Sequence, residues 1–131
     1  MSTYKDLVFK TIMLSQGVEN LTRDCILKSV ANGELNPSDK ELEKIKGHYG
    51  LGGLSYAIKP CISADLFERL LSFSKDRNEL AHKSADLYLK HQFFSMTDDA
   101  LSKELWKLSE VKITAGDLFG ELLDLHTEFT K

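Results

Sequence analysis

Three polar residues in the middle of the chain have side chains suited to chemistry on a phosphodiester: Arg77, Asn78 and His82. An arginine guanidinium is a permanent cation whose forked N–H groups match phosphate oxygens. A histidine imidazole gains and loses a proton near neutral pH, and the Asn78 amide can hold either group by hydrogen bonding. Together the three residues could bind a phosphate and move a proton beside it.

The predicted helix that begins after Ser63 carries these residues and has an apolar stripe that they interrupt. On a helical wheel at about 100° per residue, this stripe consists of Phe67, Leu70, Leu71, Ser74, Ala81 and Ala85. Arg77 and Asn78 straddle it where a simple amphipathic helix would carry Leu or Ala. Because burying such groups without partners is costly, they must be paired, open to a cleft, or set against a second copy of the chain.

Helical spacing also predicts how the three groups lie relative to one another. Asn78 and His82 are four residues apart and therefore neighbours on a continuous helix. Arg77, five residues before His82, points about 140° away from it. The long arginine side chain, a helix distortion or a second subunit would have to close that gap.

The segment from Arg77 to His82, RNELAH, resembles the R-x4-6-H motif of HEPN domains, including the polar residue that often follows the arginine. The upstream GLGGL segment and the helix that leads to the motif are also similar to the corresponding stretch of HEPN-like proteins. The resemblance implies a small α-helical bundle, commonly a homodimer with two motifs facing each other.

The same resemblance implies a metal-independent endoribonuclease of the toxin or defence type, with RNA as substrate and a cognate antitoxin or regulatory protein as partner. Arg77 and His82 would be the catalytic pair, and Asn78 would support them. RNA carries its own nucleophile, the 2′-hydroxyl, so the protein needs only proton transfer by His82 and charge stabilisation by Arg77. No cofactor is required.

A non-catalytic function is the alternative. A similar R-N-x-x-A-H segment occurs in the mannitol operon repressor family, and HEPN-like domains without known nuclease activity share the motif. On this interpretation the chain is a regulatory protein that binds another protein, and the three residues tie helices or subunits together. The equal numbers of basic and acidic residues between positions 63 and 90, five of each, favour it, because RNA affinity usually draws on several phosphate contacts.

The 131 residues, 42% of them hydrophobic, suit a single domain over positions 1–131. Apolar residues recur at three- and four-residue steps and only two prolines interrupt them, which predicts an all-α bundle of five or six helices. The first helix includes a line of apolar residues and bends at Gly17, or gives way there to a second helix. This line consists of Leu7, Leu14, Val18, Leu21 and Cys25.

Turn and capping residues predict the remaining boundaries. A turn over residues 32–37 precedes Ser38, which with Glu41 has the form of a capping box. The glycines of GHYGLGGL make a regular helix costly there, and residues 56–60 form a short connector. Ser63 caps the next helix, which extends to about residue 94. Thr97 begins another helix, and Thr114 with Asp117 begins a last one.

Composition excludes several classes of protein. The net charge of -3 argues against a global cationic field for nucleic acid or membranes, and residues 91–131, with four Lys and eight Asp or Glu, place any anion site outside the C-terminal helices. Two cysteines are too few for a disulfide framework, no run is long enough to span a membrane, and no metal-binding spacing is present. No secretory signal is evident at the start, which predicts a cytoplasmic protein.

Overall fold

The computed structural model describes the backbone of residues 2–93 and 98–129, and the side chains of residues 6–79, 103 and 106–129. These residues form five α-helices: α1 (Ser2–Ala31), α2 (Asp39–Gly47), α3 (Leu51–Ile58), α4 (Ala64–Phe93) and α5 (Asp98–Phe129). A 3-10 turn, Lys59–Cys61, leads from α3 towards α4. The all-α prediction is confirmed for the described backbone, which contains no β-strand.

The predicted caps lie at the starts of α2 and α4. The Ser38 hydroxyl accepts a hydrogen bond from the Glu41 backbone N–H at 3.1 Å, and the Ser63 hydroxyl accepts one from the Leu66 N–H, also at 3.1 Å. Each serine thus satisfies a first-turn donor that has no partner within its own helix. The turn after α1 is confirmed as well, with Gly33 at φ 80°, a conformation that favours glycine.

Two sequence predictions are wrong here, because α3 covers the second half of the glycine-rich segment and also residues 56–58 of the predicted connector. Two glycines inside a helix cost about 1 kcal/mol each. Leu51, Leu54 and Ile58 are fully or almost fully buried, and burying each gains about 1.5–3 kcal/mol. Burial therefore outweighs the glycine penalty. Gly53 also allows the Tyr49 ring to approach, since a Cβ at position 53 would lie 2.7 Å from that ring.

The predicted helix start at Thr114 and Asp117 is wrong, because α5 runs without interruption from Asp98 to Phe129. The Thr114 hydroxyl donates to the carbonyl oxygen of Glu110, one turn earlier, at 3.0 Å. This bond is available to a threonine inside a helix and needs no free N–H group. Threonine is a residue type that often caps helices, but Thr114 lies inside α5.

One hydrophobic core includes residues from all five helices. Its buried members are Val18, Cys25, Ile26, Ile45, Leu51, Leu54, Ile58, Leu66, Leu70, Phe73, Ala115, Leu118 and Leu122. Within it, α1 and α5 run in the same direction. The Cys25 thiol lies 3.6 Å from the carbonyl oxygen of Leu122, and the side-chain amide of Asn32, the residue after α1, donates to the carbonyl oxygen of Phe129 at 2.9 Å. The two contacts are therefore seven positions apart in both segments.

The buried face of α1 is lined by small residues, several of them polar: Thr11, Ser15, Val18, Thr22, Cys25 and Ser29. The hydroxyls of Thr11, Ser15 and Thr22 donate to carbonyl oxygens four residues earlier, at 2.7–2.8 Å. Bonds within the helix thus allow these hydroxyls to be buried. The helix is continuous at Gly17, where a Cβ would lie 3.2 Å from the Phe119 ring. The glycine therefore permits close packing of α1 against α5.

Candidate functional site

Arg77 projects from α4 towards α1 and is paired there with a carboxylate. Its Nη1 donates to Oε1 of Glu19 at 2.7 Å. The Arg77 side chain is 28% exposed and the Glu19 side chain 11% exposed. The ion pair therefore joins residues 58 positions apart in the chain at the edge of the core. The arginine that interrupts the apolar stripe of α4 is therefore paired with a carboxylate of α1.

The Glu19 carboxylate is held from its other side by α1 itself. Its Oε2 accepts a hydrogen bond from the Gln16 amide at 3.0 Å and lies 3.9 Å from Nη2 of Arg23. Gly50, the residue that precedes α3, is also close, since a Cβ there would lie 3.9 Å from Oε1 of Glu19. The carboxylate thus sits between two guanidinium groups beside the start of α3.

Arg23 fixes the last turn of α2 and the segment that follows it against α1. Its Nε donates to the carbonyl oxygen of Ile45 at 3.0 Å and its Nη2 to that of Tyr49 at 3.2 Å. The Tyr49 hydroxyl in turn donates to the Glu41 carboxylate at 3.0–3.1 Å. Carbonyl groups at the end of a helix lack partners within it, and a nearby arginine satisfies them. These bonds hold the loop beside Glu19 in one place.

Counting only hydrogen bonds to described residues, Arg77 uses the fewest donors of the three described arginines. Arg23 donates to two carbonyl groups and, at 3.4 Å, to Asn20, and Arg69 donates to the carboxylates of Asp65 and Glu121. Arg77 donates to Glu19 alone among the described side chains. A guanidinium has five N–H donors. Arg77 can therefore bind an anion and keep its contact with Glu19.

The other two residues of the predicted site lie on the same helix. Asn78 is exposed to solvent. His82 belongs to α4 by its backbone, but its side chain lies outside the described residues. The proposed approach of the Arg77 guanidinium to the His82 imidazole therefore stays a prediction. The site as described consists of Arg77, Asn78 and the Glu19 cluster, by which we mean Glu19, Gln16 and Arg23.

The pKa of Glu19 is set by opposing influences. Burial has the largest single effect and would raise it, but the hydrogen bond and charge of Arg77, together with Gln16 and Arg23, outweigh burial. The net pKa is therefore lower than the ordinary value of 4.5. Glu19 is ionised at neutral pH, as its ion pair with Arg77 requires.

We expect the protonation of Glu19 to destabilise the protein in acid. Because its pKa is lower in the folded than in the unfolded state, ionised Glu19 stabilises the fold above the unfolded pKa. That contribution disappears as the pH falls from about 4.5 through the folded pKa. In Glu19→Gln the uncharged amide removes it at every pH. Urea midpoints measured from neutral pH down to about pH 3 should therefore fall more steeply in the parent than in the variant; parallel curves would contradict this.

Glu19 is the site residue that sequence reasoning missed. A signal was available, because Glu19 follows Val18 and lies between Ser15 and Thr22, on the edge of the α1 face that is buried. A carboxylate at such a position needs a cationic partner. What the spacing within α1 could not indicate is that this partner comes from α4.

The described part of the chain contains neither a cluster of metal-binding side chains nor a membrane-spanning helix. No group of three or more His, Cys, Asp or Glu side chains there is arranged to hold a metal ion. No helix in that part combines the length and the apolarity needed to cross a membrane. Cys25 is buried, and burial is the main reason that the pKa of its thiol rises to about 11. It is therefore a poor nucleophile at neutral pH.

Fold and site together define an all-α helical bundle with a partly exposed arginine tied to a buried carboxylate. Comparison of the chain with protein-family models, with curated proteins and with solved structures finds no match.

Proposed function

We propose that the protein is a metal-independent endoribonuclease of the toxin or defence type, similar to HEPN nucleases. The observation that carries this proposal is the state of Arg77. Its side chain is 28% exposed, and only its Nη1 donates to a described side chain, that of Glu19. Exposed Asn78 follows on the same helix, and His82 comes one turn after Asn78. The RNELAH segment supports the same function by its resemblance to the R-x4-6-H motif.

In the proposed reaction the RNA supplies the nucleophile. His82 takes the proton of the 2′-hydroxyl, and O2′ attacks the adjacent phosphorus as the bond from phosphorus to O5′ breaks. The leaving O5′ takes up a proton from solvent and His82 returns its proton to solvent, which gives a 2′,3′-cyclic phosphate and a 5′-hydroxyl. Arg77 stabilises the extra negative charge on the phosphoryl oxygens. In a homodimer, which we propose as the active form, the motifs of both copies would face the scissile phosphate.

Product analysis tests this function directly. We expect the purified protein to cut an RNA oligonucleotide in the presence of EDTA and to leave 2′,3′-cyclic phosphate and 5′-hydroxyl ends, identified by mass spectrometry. The matched control is the DNA oligonucleotide of the same sequence, which lacks the 2′-hydroxyl and should stay intact. RNA left intact, cleavage that requires a divalent metal, or cleavage of the DNA would contradict the proposal.

Exposed apolar residues favour a second candidate, a regulatory protein that acts by binding another protein. Phe9, Ile12 and Met13 on α1, and Trp106 and Ile113 on α5, are at least half exposed. Large apolar side chains that stay accessible often belong to interaction surfaces. If the protein leaves RNA intact, this candidate becomes the better one, and Arg77 then joins α4 to α1 without a catalytic function.

A further inference from the structure

We propose that Glu19 is a positioning residue for Arg77, which it holds so that the guanidinium can receive an RNA phosphate. The inference rests on the proposed ribonuclease function and names a residue outside the RNELAH segment. It starts from the contact between Nη1 of Arg77 and Oε1 of Glu19 at 2.7 Å. This contact brings α1 into a site that the sequence assigns to α4 alone.

The geometry of a guanidinium explains why this contact suits anion binding. Nη1 lies on the opposite side of the group from the edge formed by Nε–H and the nearer Nη2–H. Glu19 engages Nη1, and no described side chain accepts a hydrogen bond from Nε or Nη2. That edge is a fork that matches two oxygens of a phosphate. Glu19 therefore fixes one corner of the group and leaves the fork for the substrate.

The surroundings of Glu19 make it a firm support. Gln16 donates to its second oxygen at 3.0 Å, and Arg23, anchored on the carbonyl groups of Ile45 and Tyr49, lies close to that oxygen. With its side chain 11% exposed, Glu19 has little freedom to follow a moving arginine. A guanidinium that is already ordered loses less entropy when it binds a transition state than a mobile one does.

The contact has an opposing effect as well, because the negative charge of Glu19 partly neutralises the positive charge of Arg77. If neutralisation were the dominant effect, removing the carboxylate would strengthen RNA binding and raise activity. If positioning dominates, removing it slows the chemical step, because an arginine free to rotate contacts the phosphate less often in the productive geometry. The two effects differ in sign, so a substitution at Glu19 separates them.

A double-mutant cycle on Glu19 and Arg77 tests the inference. Under single-turnover conditions in EDTA, we expect Glu19→Ala to lower the rate constant of RNA cleavage about 10- to 100-fold, with substrate affinity changed much less. Glu19→Gln keeps an oxygen acceptor and should lose less. In the Arg77→Ala background, Glu19→Ala should have no further effect, because Glu19 acts through Arg77. A purely structural role would instead give multiplicative losses.

The matched control is Glu121→Ala, which removes the partner of Arg69 in another ion pair between helices, two turns earlier on α4. It should leave cleavage at the parental rate. Activity in Glu19→Ala equal to or above that of the parent would overturn the inference. Multiplicative losses of rate in the double-mutant cycle would overturn it as well. Such a result would leave the ribonuclease function standing if Arg77→Ala still cleaves RNA far more slowly than the parent.

A measurement without RNA keeps the inference testable if the parent cuts no substrate, in which case the nuclease proposal itself is wrong. Relaxation of the Arg77 Nε resonance in ¹⁵N NMR reports how rigidly the side chain is held. We expect a rigid Nε in the parent and in Glu121→Ala, and a mobile one in Glu19→Ala. A mobile Nε in the parent, or no change on removing Glu19, would show that Glu19 does not position Arg77. Circular dichroism on every variant checks that the helices are intact.

Discussion

Replacing Arg77 with alanine lowers the rate of RNA cleavage about 100- to 1,000-fold if the guanidinium stabilises charge at the phosphate, the usual loss when one such donor is removed. The side chain is partly exposed and joined to a described side chain by one ion pair, so the fold should survive its removal. Single-turnover cleavage of one RNA oligonucleotide in EDTA measures the change. Arg77→Lys should recover little, because an ammonium group cannot reproduce the fork.

The matched control for this prediction is Arg69→Ala, on the same helix. Arg69 is an arginine of comparable exposure that joins α4 to α5 through Glu121, so its loss tests what removal of a charge from α4 does outside the site. We expect cleavage close to the parental rate in Arg69→Ala. His82→Ala should lower the rate about 100- to 10,000-fold, as expected for a group that transfers a proton. Equal activity of the parent, Arg77→Ala and His82→Ala would exclude the proposed mechanism.

Local sequence signals predicted the parts of the fold that depend on local interactions. Ser38 and Ser63 begin helices because a serine hydroxyl satisfies an N–H group only three residues away. Thr114 has the same kind of side chain but lies within α5, where its hydroxyl bonds to a carbonyl group of the preceding turn. Residue type alone does not distinguish these two uses of a hydroxyl. The choice depends on whether the neighbouring turns pack against the rest of the protein.

The helix α3 shows why propensity failed at the glycines. Gly52 and Gly53 are poor helix formers, and a helical assignment there requires knowing that Leu51, Leu54 and Ile58 share a buried face. The packing itself uses the glycines, since a Cβ at Gly53 would lie 2.7 Å from the Tyr49 ring. Residues that weaken a helix in isolation thus enable its tertiary contacts. A short stretch of sequence does not predict such tertiary contacts.

The candidate site likewise contains residues that the sequence predicted and one that only tertiary packing reveals. The spacing within one helix singled out Arg77 and Asn78 because they interrupt an apolar stripe, and it predicted that a buried cation needs a partner. It could not indicate Glu19, because the two residues are 58 positions apart and only the packing of α1, α3 and α4 brings them together. In the first helix the apolar line included Val18 and Cys25, which are buried, but missed Thr11, Ser15 and Thr22. The hydroxyls of these three residues donate to carbonyl oxygens within the helix. Their polarity alone does not indicate that they are buried.

Replacing Phe73 with alanine should lower the free energy of unfolding by about 3–5 kcal/mol, the usual cost of truncating a buried phenylalanine. Phe73 is 1% exposed and belongs to the core one turn before Arg77 on α4, so its removal leaves a cavity where α4 packs on the rest of the bundle. A loss of this size is a large part of the stability of an ordinary domain. Urea unfolding followed by circular dichroism measures it.

The control for Phe73 is the phenylalanine at position 9, which is 64% exposed on α1. Phe9→Ala removes the same atoms from a site with few neighbours and should change the free energy of unfolding by less than about 1 kcal/mol. Similar losses at both positions would contradict the placement of the core. A loss at Phe9 that grows with protein concentration would instead indicate that this side chain is buried between copies of the chain, because association stabilises the folded state by mass action. The two phenylalanines thus separate the core of one molecule from a surface shared by two.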